Sequence, residues 1–176
     1  MSIYVSSSIS NTLEPIRKNR WVITFTSIPG STETDELSFA AHTAAQPQFT
    51  FTAGEHHRIN ERVYTAGKIT YNQIPISFYD FIRGDKSAGE ILYNWANTIY
   101  NPITGQMSFK SQYSTSATLA LLDPAGGIVR MWNLFYCWPS EVNWNDLSSE
   151  DDGLVDVSCT LHYDYAIKGA DVDTAP

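Results

Sequence analysis

Val155-Asp156-Val157-Ser158-Cys159-Thr160-Leu161-His162-Tyr163-Asp164-Tyr165 is the stretch that decides the fold. Successive side chains of a strand point to opposite faces, so Val155, Val157, Cys159, Leu161, Tyr163 and Tyr165 share one side. Asp156, Ser158, Thr160, His162 and Asp164 share the other. One face belongs to a core and the other to water. The composition around this strand agrees. Aromatics make up 13% of the 176 residues, and the text is rich in Thr, Ser, Val and Ile, which favours strands over helices.

Working outward, Ser148–Gly153 forms an acidic loop, and Val142–Leu147 reads as the partner of the closing strand. Before it, Ser111–Leu122 and Ile128–Trp138 flank Asp123-Pro124-Ala125-Gly126-Gly127, whose residues suit a hairpin turn. Pro139 is expected to break the second of these strands. Only Lys86–Tyr100 has a helical period: Ala88, Ile91, Leu92, Trp95, Ala96 and Ile99 fall on one face. Ser87-x-x-Glu90 is a capping box, and Asn101-Pro102 stops the helix. Trp21–Ile28 reads as a strand ended by Pro29-Gly30, with Glu36–Ala44 returning beside it as a hairpin. Ile69–Phe81 reads as another strand, with Pro75 marking an edge or a bulge.

Gln48–Thr65 behaves differently. Phe49 and Phe51 share a face, but Gly54, His56, His57, Arg58, Asn60 and Arg62 follow. A long ribbon with so little to bury is poorly specified alone and calls for a partner chain. Residues 1–19 read as an arm, 20–166 as one β-rich domain, and 167–176 as a tail.

Charge and motifs remove several function classes. Eleven Lys+Arg against nineteen Asp+Glu give a net charge of −8. Residues 1–110 carry nine of each sign, so the whole excess lies in 111–176, with two basic and ten acidic residues. That balance repels nucleic acid and anionic membranes. The longest apolar run, Leu134–Trp138, is five residues and too short to span a bilayer as a helix. Residues 1–10 lack the basic and apolar regions of a secretory leader, so none is expected. Cys137 and Cys159 sit among apolar neighbours and read as buried reduced thiols, with one bridge as the alternative.

The acidic loop lacks the glycine and closing glutamate of an EF-hand loop, and its flanks are strands. His56 and His57 are adjacent and therefore point apart, which does not suit chelation. The sequence has no nucleophile elbow and no phosphate-binding loop. Neither catalysis nor a metal or cofactor is expected.

Asn19-Arg20-Trp21-Val22-Ile23-Thr24-Phe25 opens a strand in a way that resembles the major tail tube proteins of contractile-tailed bacteriophages. Arg62-Val63-Tyr64-Thr65-Ala66-Gly67-Lys68 before the aromatic strand Tyr71–Asp80 is similar to that family as well. So are the helical Ile91-Leu92-Tyr93-Asn94-Trp95, the Phe135–Val142 segment with its Trp138-Pro139, and the closing strand. The resemblance spans residues 19–166.

It implies a mostly β (α+β) domain: an antiparallel sandwich or barrel with one amphipathic helix outside, lending strands to a hexameric ring barrel. It further implies a structural, non-enzymatic subunit whose rings stack into a tube around a channel for genome passage. A tail sheath protein would surround the tube. A baseplate or tube initiator and a tail terminator would close its ends, and tape measure protein and DNA would occupy the lumen. The location would be the virion, after assembly in the host cytoplasm. An inner tube of a pyocin-like or secretion particle, or a tube initiator, shares these features.

On this reading Phe49, Phe51, His56, Arg58 and Arg62 are candidates for contacts between subunits or rings. Glu55, Glu61, Asp156 and Asp164 are candidates for the channel wall. Trp95, Ile91, Leu92 and Trp138 hold the core and helix. A different class, an up-and-down barrel holding a small apolar ligand, would need inward apolar residues on nearly every strand.

Overall fold

A computed structural model describes residues 15–32, 34–82, 84–150 and 152–169. The arm expected before residue 15 and the tail expected after residue 169 lie outside those residues. In chain order the elements are β1 (Trp21–Phe25), α1 (Thr34–Ala40), β2 (Ala41–Ala44), β3 (Phe49–Arg58), β4 (Glu61–Tyr71) and β5 (Ile74–Tyr79). After a 3-10 turn at Gly84–Lys86 come α2 (Ala88–Ile99), β6 (Tyr100–Asn101), β7 (Gln106–Met107) and α3 (Lys110–Tyr113). The chain closes with β8 (Thr115–Leu122), β9 (Ile128–Asn143), β10 (Asp156–His162) and β11 (Tyr165–Lys168).

The main sheet runs β1-β8-β9-β10-β5-β2, with β11 also on β9 and every pairing antiparallel. β9 is its spine. Residues 128–137 pair with β8, and 138–143 pair with β10. The strand changes direction at Tyr136, whose φ of 57° lies in the left-handed region that a bulky residue enters only when its surroundings hold it there. The pairing with β8 skips a residue at the same place. One sheet thereby becomes two faces wrapped around a common interior.

The interior is apolar and filled. Ile23 and Phe25 of β1, Ile74, Ile76 and Phe78 of β5, and Val157, Cys159 and Leu161 of β10 point into it. So do Leu134 and Cys137 of β9. Helix α2 contributes Ile91, Leu92 and Trp95, all fully buried, while Ile99 is half-buried. The Trp95 ring meets Phe25 edge-on at 5.9 Å, and its Nε1–H donates to the Tyr113 carbonyl at 2.7 Å. That hydrogen bond lets the largest core side chain bury its polar atom at little cost. Ser87 Oγ accepts from the Glu90 amide at 3.2 Å, which caps the helix as its sequence predicts. Gly30, at φ 83°, brings the loop after β1 against the α2 backbone: a Cβ there would sit 3.0 Å from the Asn94 carbonyl.

Several expectations are corrected. Glu36–Ala44 is not a returning strand: its first part belongs to α1, where Leu37 and Ala40 are buried one turn apart. β1 pairs with β8, not with this segment. Ser111 lies in the short helix α3, and β8 starts at Thr115. Pro139 does not end β9, because it sits beside the register shift at Thr160/Leu161 and is buried there. The Val142–Leu147 strand stops at Asn143, and the closing strand starts at Asp156, leaving Val155 exposed. Ile69–Phe81 divides into β4 and β5 at Asn72-Gln73. β5 is interior to the sheet, and Pro75 is tolerated as its second residue. β11 carries pairing on to Lys168. Cys137 and Cys159 are free and buried.

Candidate functional site: an unpartnered hairpin

The Gln48–Thr65 ribbon and the residues after it form a single long hairpin, turning at Ile59-Asn60. Among the described residues, β3 and β4 pair with each other and with no other strand. Ten residues at about 3.4 Å each make an arm of roughly 34 Å. Its root is fixed to the body. The Tyr163 hydroxyl donates to the Gln48 carbonyl at 3.3 Å, and the Asn72 amide donates to the same carbonyl at 2.9 Å. The Tyr163 ring packs 5.7 Å from Tyr71. Burial raises the Tyr163 phenol above its usual pKa, so it keeps its proton as donor.

Pairing and alternation sort the hairpin into two faces. Phe49, Phe51, Ala53, Glu55 and His57 of β3 share one with Tyr71, Ile69, Ala66, Tyr64 and Arg62 of β4. Near the root this face is an aromatic cluster, with Phe49 5.7 Å from Phe51 and 6.2 Å from Tyr71. Phe49 and Phe51 are nonetheless 49% and 56% exposed. Near the tip the face carries an ion pair, Arg62 Nε to Glu55 Oε1 at 3.2 Å, with His57 3.7 Å from the same oxygen. The opposite face is polar: Thr50, Thr52, His56, Arg58, Glu61, Thr65 and Thr70, with Val63 among them. His56 Nε2 lies 3.1 Å from Thr65 Oγ1. The two histidines do point apart.

A bulge divides the arm where Thr52 faces both Gly67 and Lys68. Only glycine fits at 67, since a Cβ would lie 2.3 Å from Thr52 Oγ1 and 2.9 Å from the Thr52 carbonyl. An isolated two-stranded ribbon is marginal in water, and this one exposes apolar side chains along the root half of one face. Its geometry is that of a strand pair awaiting a further surface.

The other candidates fall elsewhere. Glu55 and Glu61 lie on opposite faces of the hairpin, so a single wall built from one face takes only one of them. Asp164 is held by Lys110 Nζ at 2.5 Å from both carboxylate oxygens. Asp156 is half-buried opposite Tyr79 on β5. Ile91, Leu92 and Trp95 are core. Trp138 is not: it is half-buried, stacked on His162 at 5.1 Å and edge-on to Tyr113 at 6.0 Å. Sequence reasoning missed Ile59, Tyr64 and Ile69 as part of the exposed apolar set. Tyr64 and Ile69 would have been found had the turn at Ile59-Asn60 been placed. Among the described residues, no three His, Cys, Asp or Glu side chains converge as metal ligands would.

A mostly antiparallel body with a bent spine strand, one long helix packed on it by its apolar face and an extended free hairpin defines a class: the tail tube fold. The chain is similar to a chain of the sheath–tube complex of the extracellular contractile injection system PVC, with TM-score 0.67 and 16% identity over 94% of this chain and 98% of that one. It is similar to a chain of the anti-feeding prophage cap, with TM-score 0.68 and 16% identity over 89% and 91% of the two chains. The SPP1 tail tube superposes with TM-score 0.53 and 16% identity over 91% and 82%. No family model and no curated protein matches the sequence.

Proposed function

We propose that the chain is a structural, non-enzymatic tube subunit of a contractile particle, assembling into stacked six-membered rings around a channel. The observation that carries this reading is the free hairpin with its exposed aromatic face. Pairing with a neighbour covers that face and removes the unpaired edges. In the ring, the Phe49–Phe51–Ile69 face packs on the adjacent subunit, and the threonine-rich face with Glu61 turns to the channel. Glu55, neutralised by Arg62, stays in the subunit contact.

The partners that fit are a sheath outside, an initiator or baseplate and a terminator at the ends, and the cargo with its tape measure inside. Two of the similar structures come from injection particles and superpose at TM-scores of 0.67 and 0.68, against 0.53 for a phage tail tube. That favours the inner tube of a phage-derived injection particle as a second reading, in which the channel carries an effector instead of a genome.

Negative-stain microscopy of the purified protein tests the proposal. Rings or tubes with a central hole and sixfold averages support it. A protein that stays monomeric at high concentration and takes a hydrophobic dye into a defined cavity contradicts it.

A further inference from the structure

The main sheet does not close on itself. Its path starts at β1 and ends at β2, so among the described residues each of these strands keeps one edge unpaired. Helix α1 packs on β1 and runs directly into β2, which brings the two free edges to the same side of the body. Between them lies a cleft of about 500 Å³. Trp21, Leu119 and Leu121 form one wall, and Ala44 and Ala45 belong to the other. On the β2 side His42 stacks on Tyr79 at 4.1 Å, and its Nε2 is buried with no hydrogen-bond partner. An apolar seam between two open strand edges is a place for a further strand.

The sequence ahead of the seam has the period of such a strand. In residues 1–14, which lie outside the described residues, Met1, Ile3, Val5, Ile9 and Leu13 stand at odd positions. Even positions hold Ser2, Ser6, Ser8, Ser10, Thr12 and Glu14, with Tyr4 the one aromatic among them. Alternation of this kind marks a strand that buries one face. Residues 1–13 carry no charged side chain, which suits an apolar seam. The chain also arrives at the right place. Lys18 lines the cleft, and the Arg20 amide donates to the Arg17 carbonyl at 3.3 Å in a turn just before β1. Such a turn reverses the chain, so the residues ahead of it start back beside β1. Fourteen residues at about 3.4 Å each reach roughly 48 Å, against about 17 Å for the five of β1.

We propose that residues 3–13 of the same chain lie in this seam as a further strand, with their odd-numbered side chains turned inward. Ile9 and Leu13 cover Trp21, Leu119 and Leu121, and the serine-rich face meets water. The backbone of the segment supplies partners for the open edges and for His42 Nε2. Tethered at the mouth of the seam, this segment reaches it without a second copy. The seam belongs to the single chain, so its filling does not depend on ring assembly.

Hydrogen exchange of the full chain reads the seam. The double variant Ile9→Ser, Leu13→Ser is expected to speed exchange of the amides in 21–25 and 41–45 about tenfold, while Tyr4→Ser, on the other face, stays within about twofold. Amides of β10 remain protected in both, which shows that each variant is folded. Cross-linking then identifies the occupant. Ile9→Cys carries a benzophenone probe, selective because Cys137 and Cys159 are buried, in a mixture of isotopically light and heavy protein. Links are expected to residues lining the cleft, and only light to light or heavy to heavy. The proposal fails if links join light to heavy chains, since the segment then comes from a neighbour, or if they fall outside the cleft. It also fails if the two serine variants act alike. Loss of the protection in Phe49→Ser, Phe51→Ser and not in the Ile9, Leu13 variant would put a neighbour's hairpin in the seam and overturn it as well.

Discussion

The body and the hairpin are built from similar residues and behave in opposite ways. Phe25, Phe78 and Trp95 are at most 2% exposed within one chain, whereas Phe49 and Phe51 are about half exposed in theirs. The difference lies in layers. The central strands of the main sheet pack their apolar face against further sheet or helix, whereas among the described residues β3 and β4 pair only with each other. Aromatic content therefore signals burial, but whether a chain buries its aromatics itself or against a neighbour depends on topology. Within the chain the body buries its own aromatics, and the hairpin leaves its aromatics without a second layer.

The largest expected effect sharpens the body side of this contrast. Trp95→Ala removes a fully buried ring and strands the Tyr113 carbonyl, so it is expected to cost about 3–5 kcal/mol in denaturant unfolding of a non-assembling variant. A loss below about 1 kcal/mol would place Trp95 outside the core.

Next comes alkaline pH. Burial pushes both Cys137 and Cys159 up to about 12 from 9.0, so the folded state holds thiols that the unfolded chain ionises earlier. The stability this contributes is complete below pH 9 and is lost as pH climbs from 9 toward 12, by about 1.4 kcal/mol per unit for each thiol. Cys159→Val is expected to flatten that decline relative to wild type. Alkylation of either thiol at pH 8 is expected to require unfolding. Fast labelling of the native protein would break the picture of a sealed body.

A smaller effect belongs to Lys110→Met. Its ion pair with Asp164 ties α3 to the β10–β11 junction, and Lys110 Nζ also lies 5.7 Å from the centre of the Tyr136 ring. Both partners are close to half exposed, so the loss is expected to be about 0.2–1 kcal/mol, shrinking as salt is raised.

How much of this was readable in the sequence follows from period length. β10 and α2 each hold one face toward the core over several repeats, and both were legible. α1 was not, because Leu37 and Phe39 two apart read as strand alternation, whereas the helix buries Leu37 with Ala40 and leaves Phe39 outside. β9 was cut short at Pro139, since nothing local reveals that a shift in its partner makes room for proline. The ribbon was legible as a segment without a core. Its turn was not, because Ile59-Asn60 lacks the glycine that usually announces one. The faces of Glu55 and Glu61 depend on where that turn falls and on the bulge at Gly67, so the candidate wall could not be sorted before the register was known.

The central claim is that β3 and β4 are completed by another copy of the chain. Hydrogen exchange of the amides in 49–71 tests it most directly, compared between the assembled protein and the double variant Phe49→Ser, Phe51→Ser. The variant is expected to stay monomeric, to lose less than about 1 kcal/mol of body stability, and to exchange its hairpin amides rapidly while body amides remain protected. In assembled wild type the hairpin amides are expected to slow by orders of magnitude, with the body little changed. Equal hairpin exchange in the two, or a double variant that assembles as readily as wild type, would contradict the account.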